Sequence, residues 1–212
     1  MDSCCKAEDL AIAAQRSDQR RVLVLVLAIN LVMFAVEAVA GLIASSTALL
    51  ADSLDMFGDS VVYGFSLYVV AGSVVARGRA AIFKGSIMVA FGLLVFLEAA
   101  GKIEDPTLPA SATMGMIAAI ALVANAVCFL LLYRHRADGL NMRSTWLCSR
   151  NDLIANAAVI AAAMMVARTG SGWPDLIVGI SIAGLFTHSG WSVLRAGYGE
   201  LIRSGRQPEQ LW

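Results

Sequence analysis

Asp52, Asp55 and Asp59 fall within eight residues of one another, inside an apolar run that extends from STALL at 46–50 to YVVAGSVVA at 68–76. A carboxylate left uncompensated in hydrocarbon costs about 3 kcal/mol or more, so three in one stretch demand a chemical reason. At about 100° per residue on a helix they share a sector of about 60°, a face that must look into protein or water rather than lipid. Asp55 and Asp59, spaced i and i+4, offer two oxygen donors to one ion. A second pair with the same spacing stands in STWLCSRNDLIANAAVIAAAMM at 144–165, where Cys148 precedes Asp152 by four residues and Asn156 follows one turn later. Two carboxylates from one helix, with a thiolate and a carboxylate from another, make a four-donor set. That set suits a divalent cation of borderline softness, Zn²⁺ first, with Cd²⁺ and Co²⁺ close behind. These donors bind a metal only when deprotonated, so the same cluster holds either a cation or protons.

The elements that must carry these donors are membrane helices. The 212 residues are 58% hydrophobic and only 15% charged, with a mean hydropathy of +0.73, whereas a soluble domain has about a quarter of its residues charged. Six apolar runs are near the length that spans a bilayer: 22–44, 47–74, 82–103, 112–133, 145–168 and 174–198. RGR at 77–79, EDPTLP at 104–109, RHRADGLN at 134–141 and GSGWPD at 170–175 supply the charges and turn formers expected between them. The expected fold is therefore an all-α membrane protein of six transmembrane helices. It divides into a cytoplasmic N-terminal tail at 1–21, a six-helix transport domain at 22–203 and a short cytoplasmic tail at 204–212. If the spans alternate in direction, thirteen Lys and Arg residues fall on one side against Lys102 and Arg168 on the other, with Arg150 inside the fifth span. Positive charge accumulates on the cytoplasmic face, which places both termini there.

Taken together, these stretches resemble the transmembrane domain of the cation diffusion facilitator family, six-helix divalent-metal/proton antiporters. The family's second helix carries S-x-A-L-L-A-D-x-x-[HD]-x-x-x-D and its fifth [HD]-x-x-x-D; here they read STALLADSLDMFGD at 46–59 and CSRND at 148–152. FAVEAVAGLIASS at 34–46, FLEAAGKIEDP at 96–106, VAN at 123–125 and LNMRSTWL at 140–147 are similar to the family's first, third, fourth and fifth helices. The resemblance implies Asp55, Asp59 and Asp152 as metal ligands, and a bundle that loads metal from the cytoplasm and releases it to incoming protons. Cys148 departs from the family's His or Asp, and its sulfur favours Zn²⁺ and Cd²⁺ over harder ions. Most members continue into a cytoplasmic metal-binding, dimer-forming domain, which is not expected here, so a homodimer would be held by the membrane helices or their short loops.

Other polar residues have plainer readings. Asp52 is expected to support the ligands or gate the site rather than bind metal. Asn30, Asn125 and Asn156 are expected to hydrogen-bond between helices, and Cys128 to pack. Glu37 and Glu98 lie near expected outer helix ends, either solvated or along a proton path. Cys4 and Cys5 sit in a reducing compartment on this topology, so a disulfide is not expected and metal capture is a weak alternative. His135 and His188 read as bystanders. No phosphate-binding glycine pattern or serine-histidine-acid arrangement is present, no prosthetic group or nucleic-acid partner is expected, and the protein is not expected to be an enzyme. The expected function is export of Zn²⁺, with Cd²⁺ and Co²⁺ as further candidates, in exchange for H⁺ across a cell membrane. The alternatives are a proton-coupled exporter of organic cations and an intramembrane metalloenzyme.

Overall fold

The structure is a computed structural model. It describes the backbone of residues 2–69, 74–136 and 140–205, and within these the side chains of 18–61, 64, 79, 81–136, 146, 149–199, 201 and 202. All of its regular structure is helical: α1 (Asp2–Ala44), α2 (Thr47–Val69), α3 (Val74–Glu104), α4 (Ser111–Tyr133), α5 (Leu140–Thr169) and α6 (Trp173–Gly205). Among the described residues, five segments are long and apolar enough to cross a membrane, namely Asp18–Ala44, Ala81–Glu104, Ser111–Tyr133, Ser149–Thr169 and Trp173–Gly199. The sixth helix, α2, is the one that carries the three aspartates.

Helix bounds differ from the apolar runs mainly by extension. The charged segment ahead of residue 22 continues α1, which at 43 residues reaches about 65 Å. Arg77–Arg79, expected as a joint, lies inside α3. The reason is the same in both places. Beyond the bilayer a helix can run on with its charged side chains in water, so the limit of hydrophobicity is not the limit of the helix.

The turns at one end of the bundle follow local rules. α1 closes with Ser45 in the left-handed region (φ 49°), with Ser46 N–H donating to Gly41 O at 2.9 Å and Ser45 N–H to Leu42 O at 3.3 Å, the paired bonds of a Schellman stop. Ser46 then caps α2, its Oγ accepting from Leu49 N–H at 3.1 Å. α5 stops at Gly170, whose positive φ of 62° costs a glycine nothing. The α3–α4 loop is fastened to the α1–α2 turn by Ala110 N–H donating to Ala44 O at 2.9 Å. The three connections therefore gather at one end, called the turn end below.

α3 lies along α6 more extensively than any other pair, followed by α1 against α2 and α4 against α5; α2 makes only slight contact with α5. The α3–α6 seam is backbone-close: a Cβ on Gly85 would stand 2.7 Å from Gly190 O, so only glycine fits there. Leu42, Ile43, Phe83, Leu97, Val123 and Leu185 point outward and exposed, the reverse of a soluble protein and the pattern of a surface solvated by lipid.

Three helices carry one buried stripe each, at alternating spacings of three and four residues. In α1 it runs Leu23, Val26, Asn30, Met33, Glu37, Ala40, Ala44; in α4 Met114, Ala118, Ala121, Asn125, Cys128, Leu132; in α5 Ser149, Asp152, Asn156, Val159, Ala163, Val166. Near the turn end these stripes join Ala48, Leu49, Val95, Ile182 and Ala183 in an apolar cluster rich in alanine. Toward the opposite end Leu23, Val26, Cys128 and Leu132 form a second. The polar members lie between the two.

Candidate metal centre

The acidic residues of α2 stand one to three turns below its start. Asp52 and Asp59 are buried and Asp55 half-buried, as their common helical sector requires. Opposite them Asp152 on α5 is buried at 3% exposure. Asp152 lies within electrostatic reach of Asp59, Asp55 and Asp52 on α2 and of Glu37 on α1. The two helices that sequence spacing singled out thus turn their carboxylates toward one volume. Cys128 on α4 borders it, within reach of Asp152 and Asp59.

The carboxylates converge without closing. Among the described residues no three His, Cys, Asp or Glu side chains meet at metal-holding distance. Cys148 lies in the α5 backbone, but its side chain is outside the described residues, as are Cys4 and Cys5. The structure therefore brings Asp55, Asp59 and Asp152 into one neighbourhood and is silent on the fourth expected donor. The slight α2–α5 contact fits a site whose two halves belong to separately packed helices.

Glu37 is fully buried with neither carboxylate oxygen hydrogen-bonded, and it senses both Asp52 and Asp55. Its placement is neither of an exposed helix end nor of a packing residue. The signal that could have found it is the three-and-four stripe of α1, in which Glu37 takes a core position. Asp52 likewise keeps one oxygen without a partner. Such groups are rare in native interiors and mark places where something else supplies the missing partner.

The asparagines follow the same stripes. Asn30, Asn125 and Asn156 are all buried. The expected bonds between helices reduce to a long contact of 4.0 Å from Asn30 Nδ2 to Cys128 Sγ, for Asn30 also donates to Val26 O of its own helix at 2.9 Å, and Asn156 to Asp152 O at 2.8 Å. Asn30 Oδ1, Asn156 Oδ1 and both amide atoms of Asn125 have no protein partner. A polar layer with spare donors and acceptors beside five carboxylates is chemically suited to a hydrated cation or to protons, not to an apolar ligand.

Glu98 proves to be part of a different assembly. It pairs with Lys102 and accepts from Thr47 Oγ1 at 2.7 Å, which ties α3 to the start of α2 at the turn end. His188 is exposed, consistent with a bystander. Phe57, between the ligand positions in sequence, packs against Phe34 and Phe91 at centroid distances of 5.0 and 5.5 Å. Two residues from Asp55 on a helix, it faces about 200° away from the carboxylates.

The chain is thus an all-helical membrane domain with a buried acidic layer. Residues 23–202 match the family described as the cation efflux transmembrane domain, and the chain belongs to that family. It is thus a multi-pass protein of the inner (cell) membrane. Among its relatives, "Zinc transporter ZitB" of Yersinia pseudotuberculosis serotype I (strain IP32953) is 26% identical over 210 residues, covering 93% of this chain and 67% of that protein. "Cadmium, cobalt and zinc/H(+)-K(+) antiporter" of Bacillus subtilis (strain 168) is 27% identical, covering 76% and 56%. "Metal cation efflux system protein CzcD" of Cupriavidus metallidurans is 24% identical, covering 86% and 61%. The chain spans about two thirds or less of the length of these relatives.

Proposed function

We propose that the chain exports Zn²⁺, with Cd²⁺ and Co²⁺ as further substrates, from the cytoplasm in exchange for protons, through a site built from Asp55, Asp59, Cys148 and Asp152. The observation that carries this reading is that Asp152, buried on α5, lies within electrostatic reach of buried Asp59 and half-buried Asp55 on α2. A divalent cation neutralises that much negative charge only when several carboxylates reach it at once, and protons arriving there remove the same ligands. Alternating exposure of a site near the membrane midplane is the general logic of such exchange. The slight α2–α5 contact supports a site that completes itself as those helices approach. Asp52 and Glu37 border the ligands and share in holding protons when the metal has gone.

On this reading all six helices cross the bilayer, both termini face the cytoplasm, and two copies pair through their membrane helices or short loops. The protein is a transporter and not an enzyme. The organic-cation alternative is disfavoured by Phe34, Phe57 and Phe91, whose rings gather on the far side of α2 instead of lining the acids where a bulky cation would need them.

The test is zinc uptake into proteoliposomes driven by a pH gradient. Asp55→Asn, Asp59→Asn and Asp152→Asn should each reduce uptake to the leak of empty vesicles while inserting normally. Zinc uptake retained in all three variants removes the ligand assignment.

A further inference from the structure

We infer that Asp175, on the first turn of α6, is a positioning residue for the metal site: it ties α6 to the first turn of α2 and thereby sets where Asp55 and Asp59 stand. This rests on the proposed function above. Asp175 is 1% exposed and accepts from three groups, Ser46 Oγ at 2.6 Å, Thr47 N–H at 2.8 Å and Ala48 N–H at 3.0 Å. Two of these are the free amides at the start of α2, where a carboxylate also meets the positive end of the helix dipole.

The cap that Asp175 supplies differs from a local one, because its acceptor oxygens come from another helix. Ser46 Oγ accepts from Leu49 N–H within the same turn, whereas Thr47 N–H and Ala48 N–H find their acceptors in Asp175, 128 and 127 residues away. What the distant carboxylate adds is a fixed relation between two helices. One turn further along α6, Gly179 holds the backbones together: a Cβ there would lie 2.7 Å from the Thr47 carbonyl carbon. From α3, Lys102 Nζ donates to Ser45 O at 2.7 Å and to Thr47 Oγ1 at 3.0 Å, and Thr47 Oγ1 donates to Glu98. The extensive α3–α6 pair thus grips the α1–α2 turn, while the opposing carboxylate, Asp152, belongs to the helix that packs mainly on α4. A helix is stiff along its axis, so a shift at Ala48 appears undiminished at Asp52 and Asp55, one and two turns below.

The experiment measures zinc uptake by the full chain in proteoliposomes, with rates normalised to inserted protein, together with equilibrium zinc binding in detergent. Asp175→Ala should raise the half-saturating zinc concentration and the dissociation constant about tenfold, with the maximal rate per inserted transporter held within about twofold, the signature of weakened ligand alignment. Asp175→Asn, which keeps one acceptor oxygen, should lie between. A normally inserted Asp175→Ala with unchanged half-saturation overturns the proposal, as does a lower maximal rate with unchanged affinity, which is what a purely structural cap predicts. If Asp175→Ala fails to insert, Ser46→Ala removes one of the three contacts to Asp175 together with the local acceptor of Leu49 N–H and should raise half-saturation roughly threefold; no rise there overturns the proposal equally. Asp55→Asn run alongside separates the two readings: loss of binding in Asp55→Asn with none in Asp175→Ala refutes the tie alone, whereas zinc binding retained by Asp55→Asn refutes the metal site and the tie with it.

Discussion

Asp55, Asp59 and Asp152 bring three carboxyl groups from two helices into a volume that Asn30, Asn125 and Asn156 furnish with further polar atoms. Hard oxygen donors alone discriminate poorly among divalent ions, so on the proposed ligand set selectivity turns on the fourth donor. If the sulfur of Cys148 supplies it, Cys148→Ser should depress cadmium transport well beyond zinc or cobalt transport in parallel uptake assays, because the thiolate contact matters most to the softest ion. Equal losses for the three metals, or none, would take sulfur out of the ligand set. The acids of α2 and α5 were legible in the sequence because a charge in an apolar run is anomalous wherever it points. Glu37 was legible only as an open choice between a solvated end and a proton path, because one acid close to a helix end does not show its burial until its neighbours Met33 and Ala40 are seen to be buried with it. Asp175 was still less visible. An acid in the first turn of a helix has an ordinary local explanation, and its partners lie 127 to 129 residues away, beyond anything that spacing reports.

The helices themselves were easier to anticipate than their ends. Apolar length located every one of them, since only a segment that satisfies its own backbone can lie in hydrocarbon. It could not locate the start of α3 or the extension of α1, which are decided in water by helix propensity and not by the bilayer. The α1–α2 turn carries a small inconsistency of its own: Ser45 occupies a left-handed conformation that glycine adopts freely. Ser45→Gly should therefore leave transport intact and raise thermal stability in detergent by about 1 kcal/mol, the usual penalty for a side chain in that region. Its carbonyl continues to receive Lys102, so the tie to α3 is undisturbed. A lower melting temperature for Ser45→Gly would mean that the serine side chain contributes something beyond its strained backbone.

For the molecule as a whole the charge distribution predicts a direction of travel. Thirteen basic residues against two place both termini on the cytoplasmic face if α2 crosses with the other five helices. Epitope tags at residues 1 and 212 should then be cleaved together by protease in inside-out vesicles and be protected together in right-side-out ones. Opposite behaviour of the two tags would require an odd number of crossings and would remove α2 from the membrane. On the six-crossing reading its three aspartates burden the insertion of α2, and the six hydrogen bonds that join the α1–α2 turn to Asp175, Glu98 and Lys102 fasten it to its neighbours.

The stacking of apolar, polar and apolar strata along the bundle has a consequence for the resting protein. Leu23, Val26, Cys128 and Leu132 close one side of the acidic layer, and Met114, Ala118, Val159 and Ala163 close the other. On the proposed alternating exposure, water and ions reach the acids from either compartment by opening the nearer stratum while the farther one stays shut. On the proposed exchange, an idle transporter of this construction insulates the membrane, and the proton gradient is not dissipated through the very carboxylates that exploit it.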